Sequence, residues 1–264
     1  MLFGISAIGV SYLMTPLYRA EVLLVPAEGT AGGGLSALSN FGALGRLAGL
    51  GGSQTNRKDE ALAMLRSRAF VSEFIEANDG LAVMYPNSWD AEAGGWKVPD
   101  AAPTRQDAYL LFTQSIMRAS ENEDAGTISV TIELEDRFIV AQWANNIVNM
   151  LNENFRNQVS AEAQKSMIYL NEELEKSSSV ELQQAIHRLI EAQIETIMLT
   201  NVRKEYVFRI IDPAVVQDED HYVSPRRALL TFFGLLFGGF IGLCIAAIRD
   251  AMRAGGSVQP STTP

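Results

Sequence analysis

Cysteine is almost missing from this chain: Cys244 stands alone among 264 residues, so no intrachain disulfide can form and either redox compartment is open to it. Charge is missing from two stretches. No Asp, Glu, Lys or Arg occurs from Met1 to Tyr18, and none occurs across the 21 residues from Ala228 to Ile248. At about 1.5 Å of rise per residue the second stretch reaches roughly 32 Å, the thickness of a bilayer's hydrocarbon core. A core helix of that length normally carries charge on one face, so the expectation is a transmembrane helix over 227–248 and a short tail over 249–264. The first stretch is shorter and is closed by Thr15-Pro16. It has no basic stretch ahead of its apolar run and no small-x-small cleavage site. A retained anchor over 1–17 is therefore expected rather than a cleaved signal peptide.

Catalytic signatures are missing as well. There is no His-Glu-x-x-His, no Gly-x-Ser-x-Gly and no Walker sequence. Gly29 to Gly52 holds nine glycines, but no Gly-Lys-Ser/Thr follows, which excludes a phosphate-cradling loop and leaves a membrane-proximal or subunit-contacting one. The chain has two histidines. His187 lies beside Arg188 on a charged helix, which reads as a solvated face. His221 lies in Asp218-Glu219-Asp220-His221, but adjacent loop residues seldom converge on one metal. Trp89 and Trp96 read as aromatics pinning a loop, with stacking on a sugar ring as the sharper alternative. No enzyme activity, cofactor or metal is expected.

Between the two apolar stretches, residues 18–226 carry 30 acidic and 18 basic side chains, a net charge of −12. Such a surface repels phosphate backbones, so nucleic acid is not an expected partner. Two spans place both termini on one side of the bilayer. Arg226 and Arg227 before the second span nearly cancel Arg249 and Arg253 after it, so charge alone leaves the side open.

The middle region reads as mixed α and β structure. Tyr18 to Val25 suits a strand stopped by Pro26. One helix is expected over Asp59–Glu76, a loop from Tyr85 through Trp96 to Pro99, and a capped helix over Thr104–Met117. Thr127 to Leu134 alternates apolar and polar residues, the mark of a strand with one buried face. From Arg137 to Lys176 there is neither proline nor glycine, and apolar residues recur every three or four positions. Forty helical residues run roughly 60 Å, whereas a compact domain of this size has a radius of gyration near 17 Å, so this helix must protrude or bend. Ser177-Ser178-Ser179 ends it. A second helix is expected from Val180 to about Tyr206, with Leu182, Ile186, Leu189, Ile190, Ile194 and Ile197 as a matching apolar stripe, and a strand over Val207–Ile211, with Pro213 closing the domain.

A spaced pattern straddles the second apolar stretch. Ser224-Pro225-Arg226 is followed by eleven residues, then Gly238, three residues and Gly242; Gly234 precedes Gly238 by four. Glycines four apart line one helix face and let another helix approach closely, whereas in a simple anchor they are merely tolerated. With the terminal spans, the strand Tyr18-Arg-Ala-Glu-Val, the Trp-Asp loop and Phe208-Arg-Ile-Ile-Asp-Pro-Ala, this pattern resembles the chain-length determinant (Wzz-type) family of polysaccharide co-polymerases. That family carries Ser-Pro-Lys, eleven residues and a glycine pair. Here Arg226 replaces the lysine, and Val216 and Glu219 stand where family prolines fall, leaving Pro213.

The resemblance covers essentially the whole chain. It implies an α+β membrane-proximal domain with long projecting helices (about 137–206), flanked by two transmembrane helices and repeated in a homo-oligomeric ring. It places the protein in the bacterial inner membrane, with 18–226 in the periplasm and both termini in the cytoplasm. The implied role is non-enzymatic control of O-antigen or exopolysaccharide chain length, beside a membrane polymerase and nascent lipid-linked polysaccharide. Alternative roles are an export co-polymerase working with a separate cytoplasmic tyrosine kinase and a two-span periplasmic sensor.

Overall fold

A computed structural model describes residues 15–27 and 54–224, together with Phe232, Leu236 and Phe240. The expected spans at 1–17 and 227–248 fall almost wholly outside the described residues, as does the tail at 249–264; among the described residues no helix is long and apolar enough to cross a membrane. The chain divides into two compact units, one formed by Arg19–Gln217 and the other by the two ends, Met1–Tyr18 with Asp218–Pro264.

The larger unit is built on a four-stranded sheet. Its strands are β1 (Tyr18–Pro26), β4 (Met117–Asn122), β5 (Thr127–Leu134) and β6 (Phe208–Asp212), in the order β4-β5-β1-β6. Alternation decides which face is buried. Ala20, Val22 and Leu24 of β1 and Ile128, Val130, Ile132 and Leu134 of β5 all point into the core. β4 and β5 pair antiparallel from Met117↔Ile132 to Asn122↔Thr127, and β1 pairs antiparallel with β6, with an irregularity between Leu23 and Leu24. Arg19 on β1 holds Glu133 on β5, with Nη2 2.6 Å from Oε1.

The helical layer supplies the other half of the core. α1 (Gln54–Leu65) and α2 (Arg68–Ala77) are two helices where one was expected over Asp59–Glu76. Ser67 adopts an extended backbone and its side chain accepts from Phe70 N–H, which starts a new helix and breaks the run. Asp79 then takes a left-handed conformation (φ 49°) before α3 (Gly80–Met84); a Cβ on Gly80 would sit 2.9 Å from the Ile75 carbonyl oxygen, so only glycine fits there.

The expected loop at 85–99 contains a small hairpin, β2 (Trp89–Asp90) against β3 (Gly95–Trp96). α4 (Arg105–Leu111) begins with a capping box between Thr104 and Asp107. The helix expected to run to Met117 instead widens into a π-turn over Phe112–Ile116, and Met117 opens β4. Phe74, Phe112 and Trp143 meet edge-to-face or tilted at centroid distances of 5.5–6.1 Å, joining α2, the π-turn and the long helix that follows β5 in one aromatic cluster.

α5 spans Arg137–Lys176, as its periodicity predicts. Asp136 caps it, accepting from Phe138 and Ile139 N–H at 2.7 and 3.1 Å. Its first half is core: Val140, Trp143, Ala144, Ile147, Val148, Leu151 and Phe155 are buried. Beyond that only Ala163 is buried, and α6 (Val180–Val202) runs back along the helix as its main partner among the described residues. The two helices form a hairpin. α6 stops at Val202 rather than near Tyr206, and Leu182 and Ile194 of its apolar stripe are exposed. The part of α5 beyond Asn152 rises roughly 36 Å before the chain turns back at Ser177–Ser179.

Candidate functional site

Two places in the chain concentrate specific polar geometry: the seam where α6 returns to the sheet, and the point where Leu17 pairs with Ser224. Sequence reasoning missed the seam, which depends on two asparagines of α5. Asn152 is 2% exposed. Its Oδ1 accepts from the backbone N–H groups of Tyr206, Val207 and Phe208 at 3.1, 2.8 and 3.0 Å, while Nδ2 donates to Phe208 O at 2.9 Å. Asn145, two helical turns earlier on the same face, accepts from Ala214 N–H at 3.1 Å and donates to Ala214 O at 2.9 Å. One amide thus holds the chain entering β6 and another holds the chain leaving it. The available signal was two asparagines seven apart within an otherwise apolar helix face.

Pro213, which the sequence assigns to closing the domain, stands exposed directly before the clamped Ala214. Tyr206 lies beside the same seam. Burial of its phenol raises its pKa, and the nearby guanidinium groups of Arg57 and Arg203 partly offset that rise.

The smaller unit brings together residues far apart in sequence. Leu17 N–H donates to Ser224 O at 2.9 Å, and Val223 N–H donates to Leu17 O at 2.8 Å, an antiparallel bridge. Tyr18 OH donates to Glu219 O at 3.3 Å. Ser224 is therefore placed by backbone pairing. The rest of the predicted motif, Pro225, Arg226, Gly234, Gly238 and Gly242, lies outside the described residues.

The acidic cluster forms a turn in which His221 N–H donates to Asp218 O at 3.0 Å; the His221 Nδ1 and Asp218 Oδ2 atoms stand 3.9 Å apart, both well exposed. Among the described residues no group of three or more His, Cys, Asp or Glu could hold a metal ion. His187 is exposed on α6. Trp89 and Trp96 face each other across the small hairpin, ring centroids 5.0 Å apart at 90°, with Tyr85 6.1 Å from Trp96. That edge-to-face contact pins the hairpin.

No protein-family model matches the chain, and no curated protein matches it. Its structural neighbours are polysaccharide co-polymerases. One is a full-length bacterial polysaccharide co-polymerase, 11% identical with a TM-score of 0.40, covering 97% of this chain and 94% of that one. Another is a fragment of WzzB, a polysaccharide co-polymerase from Salmonella Typhimurium, 13% identical with a TM-score of 0.31, covering 77% of this chain and 97% of that one.

Proposed function

We propose that this protein is a non-enzymatic regulator of polysaccharide chain length, anchored in the bacterial inner membrane by two spans and acting with a membrane polymerase on lipid-linked repeat units. The observation that carries the reading is the Leu17–Ser224 bridge. Each charge-free stretch adjoins one side of that pairing, so two spans built from them would leave the domain side by side. The Ser224-Pro225-Arg226 motif and the glycines Gly234, Gly238 and Gly242 supply the second support, as a face through which the spans would pack. A hairpin rising from an α+β base supplies the third. It gives a growing polymer an extended surface to meet, and ring assembly of identical subunits would repeat that surface. The domain would stand in the periplasm, with both termini in the cytoplasm.

Deleting the gene and resolving the cell's surface polysaccharide by gel electrophoresis tests the proposal. The expected result is a changed length distribution with polymer still exported. Total loss of exported polymer would move the protein to the kinase-linked export class, and an unchanged distribution would remove the proposal.

A further inference from the structure

The chain that leaves β6 is laced along the first turns of α5. Asn145 holds Ala214 through both its N–H and its carbonyl, and Arg137 Nη1 donates to Gln217 O at 3.4 Å. The strap between these two ties displays Val215 and Val216, 63% and 44% exposed. Phe138 is 59% exposed, and the Arg137 guanidinium carbon stands 4.9 Å from its ring centroid. One guanidinium thus touches both the strap and the Phe138 ring, which brings the three apolar side chains into one surface patch.

The patch lies at the end of the larger unit where the chain enters and leaves it. Arg19, the first residue of that unit, holds Glu133, and Phe138 follows Glu133 by five residues, at most about 17 Å. β6 runs antiparallel to β1 with Asp212 opposite Leu23, so the chain from Asp212 to Gln217, the last residue of the unit, continues back toward the start of β1. Tyr18, bonded to Arg19, closes the charge-free stretch that begins at Met1. On the two-span reading proposed above, the bilayer surface therefore begins just before Arg19, at the patch's own end of the domain.

Apolar side chains held there leave water by entering the headgroup and upper acyl layer. A Phe–Arg pair suits that boundary, the ring taking the apolar side while the guanidinium stays with water and phosphate. Charge narrows the kind of contact. Glu135 and Asp136 precede Phe138, Asp212 precedes the strap, and all three are exposed, so an excess of anionic headgroups is repelled and the contact is apolar. We infer that Phe138, Val215 and Val216 form a lipid-contact patch that seats the base of the domain in the interfacial layer of the bilayer. The inference rests on the two-span anchor of the proposed function and is independent of polysaccharide.

Lipid quenching in the full-length chain tests it. In a Cys244→Ser background, Phe138→Cys, Val215→Cys and Val216→Cys are each labelled with an environment-sensitive fluorophore and reconstituted into phosphatidylcholine vesicles, with and without lipid carrying a nitroxide on the upper acyl chain. Ile168→Cys is the control, exposed on the same helix about 45 Å beyond Phe138. Emission at the three patch positions is expected to fall about twofold or more with the nitroxide lipid, and emission at the control to stay level. In the Val215→Cys chain, Phe138→Glu is expected to remove about half of that quenching.

Each contrary result overturns the inference differently. No quenching at the patch, in a chain that stays with the vesicles through carbonate extraction, would sink the lipid contact and leave the anchor standing. Release of the chain by the same extraction would remove the anchor and the inference together. Equal quenching at Ile168→Cys would show the whole hairpin lying along the bilayer. Unchanged quenching in Phe138→Glu would show nearness without contact. Disulfide-linked dimers through unlabelled Val215→Cys, in place of quenching, would give the patch to a second copy of the chain.

Discussion

Asn152 and Phe208 exchange two hydrogen bonds inside the core: the asparagine Nδ2 donates to Phe208 O at 2.9 Å, and its Oδ1 accepts from Phe208 N–H at 3.0 Å. A single side chain thereby imitates the edge of a neighbouring strand. Val207 and Phe208 are buried, so their backbone groups have no bulk water to turn to if the asparagine is lost.

Asn152→Ala strands three backbone N–H groups and one carbonyl, and unmet buried groups cost about 1–3 kcal/mol each before relaxation. A net loss of about 2–4 kcal/mol is expected in chemical denaturation of the purified protein. Asn152→Asp keeps the acceptors but turns a carboxylate oxygen toward Phe208 O, so it destabilises as well. Asn145→Ala, at a half-buried position, costs less. A loss under about 0.5 kcal/mol for Asn152→Ala would show that the seam holds without its clamp.

How much of this was legible in the sequence depends on how redundant each signal is. The strand Thr127–Leu134 and the helix Arg137–Lys176 were readable to the residue, because many positions repeat one period and no glycine or proline interrupts them. β4 was not readable: Met117-Arg-Ala-Ser-Glu-Asn contains no β-branched residue, and its strand state comes from pairing with β5. The division at Ser67 was hidden because apolar spacing continues across it, and one serine decides the break. The exposure of Leu182 and Ile194 was hidden for the converse reason. Periodicity identifies an apolar stripe but not how much of it a single partner helix covers. In the candidate site, motif spacing singled out Ser224 but not its backbone pairing with Leu17, and the clamp was hidden because each asparagine, read singly on a helix, looks solvated.

Acid should loosen the start of α4. Asp107 has its pKa lowered, first by the hydrogen bond from the Thr104 hydroxyl and then by the Thr104 backbone N–H. A carboxylate depressed on folding contributes stability that is present above its unfolded pKa and is lost as pH falls through its folded pKa. In Thr104→Ala, NMR titration is expected to show the Asp107 carboxyl moving back up toward the ordinary aspartate range. No movement would mean the capping box does not persist in solution.

Reporter fusions test the proposed topology. Those placed within Asp100–Pro103, an exposed to half-buried stretch after the small hairpin, are expected to report periplasm, and those after Arg253 cytoplasm. The reverse pattern would remove the polymer-facing role, because the proposed polymer lies outside the inner membrane.

The glycine face is tested by bulk. Gly238→Leu would push packed helices apart in lipid, where interhelix contacts are worth on the order of 1–2 kcal/mol each, while leaving insertion intact because leucine is at least as apolar. Broader polysaccharide lengths at unchanged protein level are expected, with Gly234→Leu and Gly242→Leu behaving alike. Normal lengths in all three would show that the glycines are passive features of an anchor.

α5 belongs to two structures at once: its first half is core, and its second half is one limb of the hairpin. With neither glycine nor proline along its length, it has no hinge where the two meet. It is therefore a lever whose fulcrum is the clamped seam at Asn152. A tilt of about 5° there displaces the tip roughly 36 Å away by about 3 Å, and a load applied at Ser177–Ser179 returns along the same rod to the hydrogen bonds that hold β6. Motion of the tip is thereby carried down the helix to the base that the Asn152 amide helps to hold together.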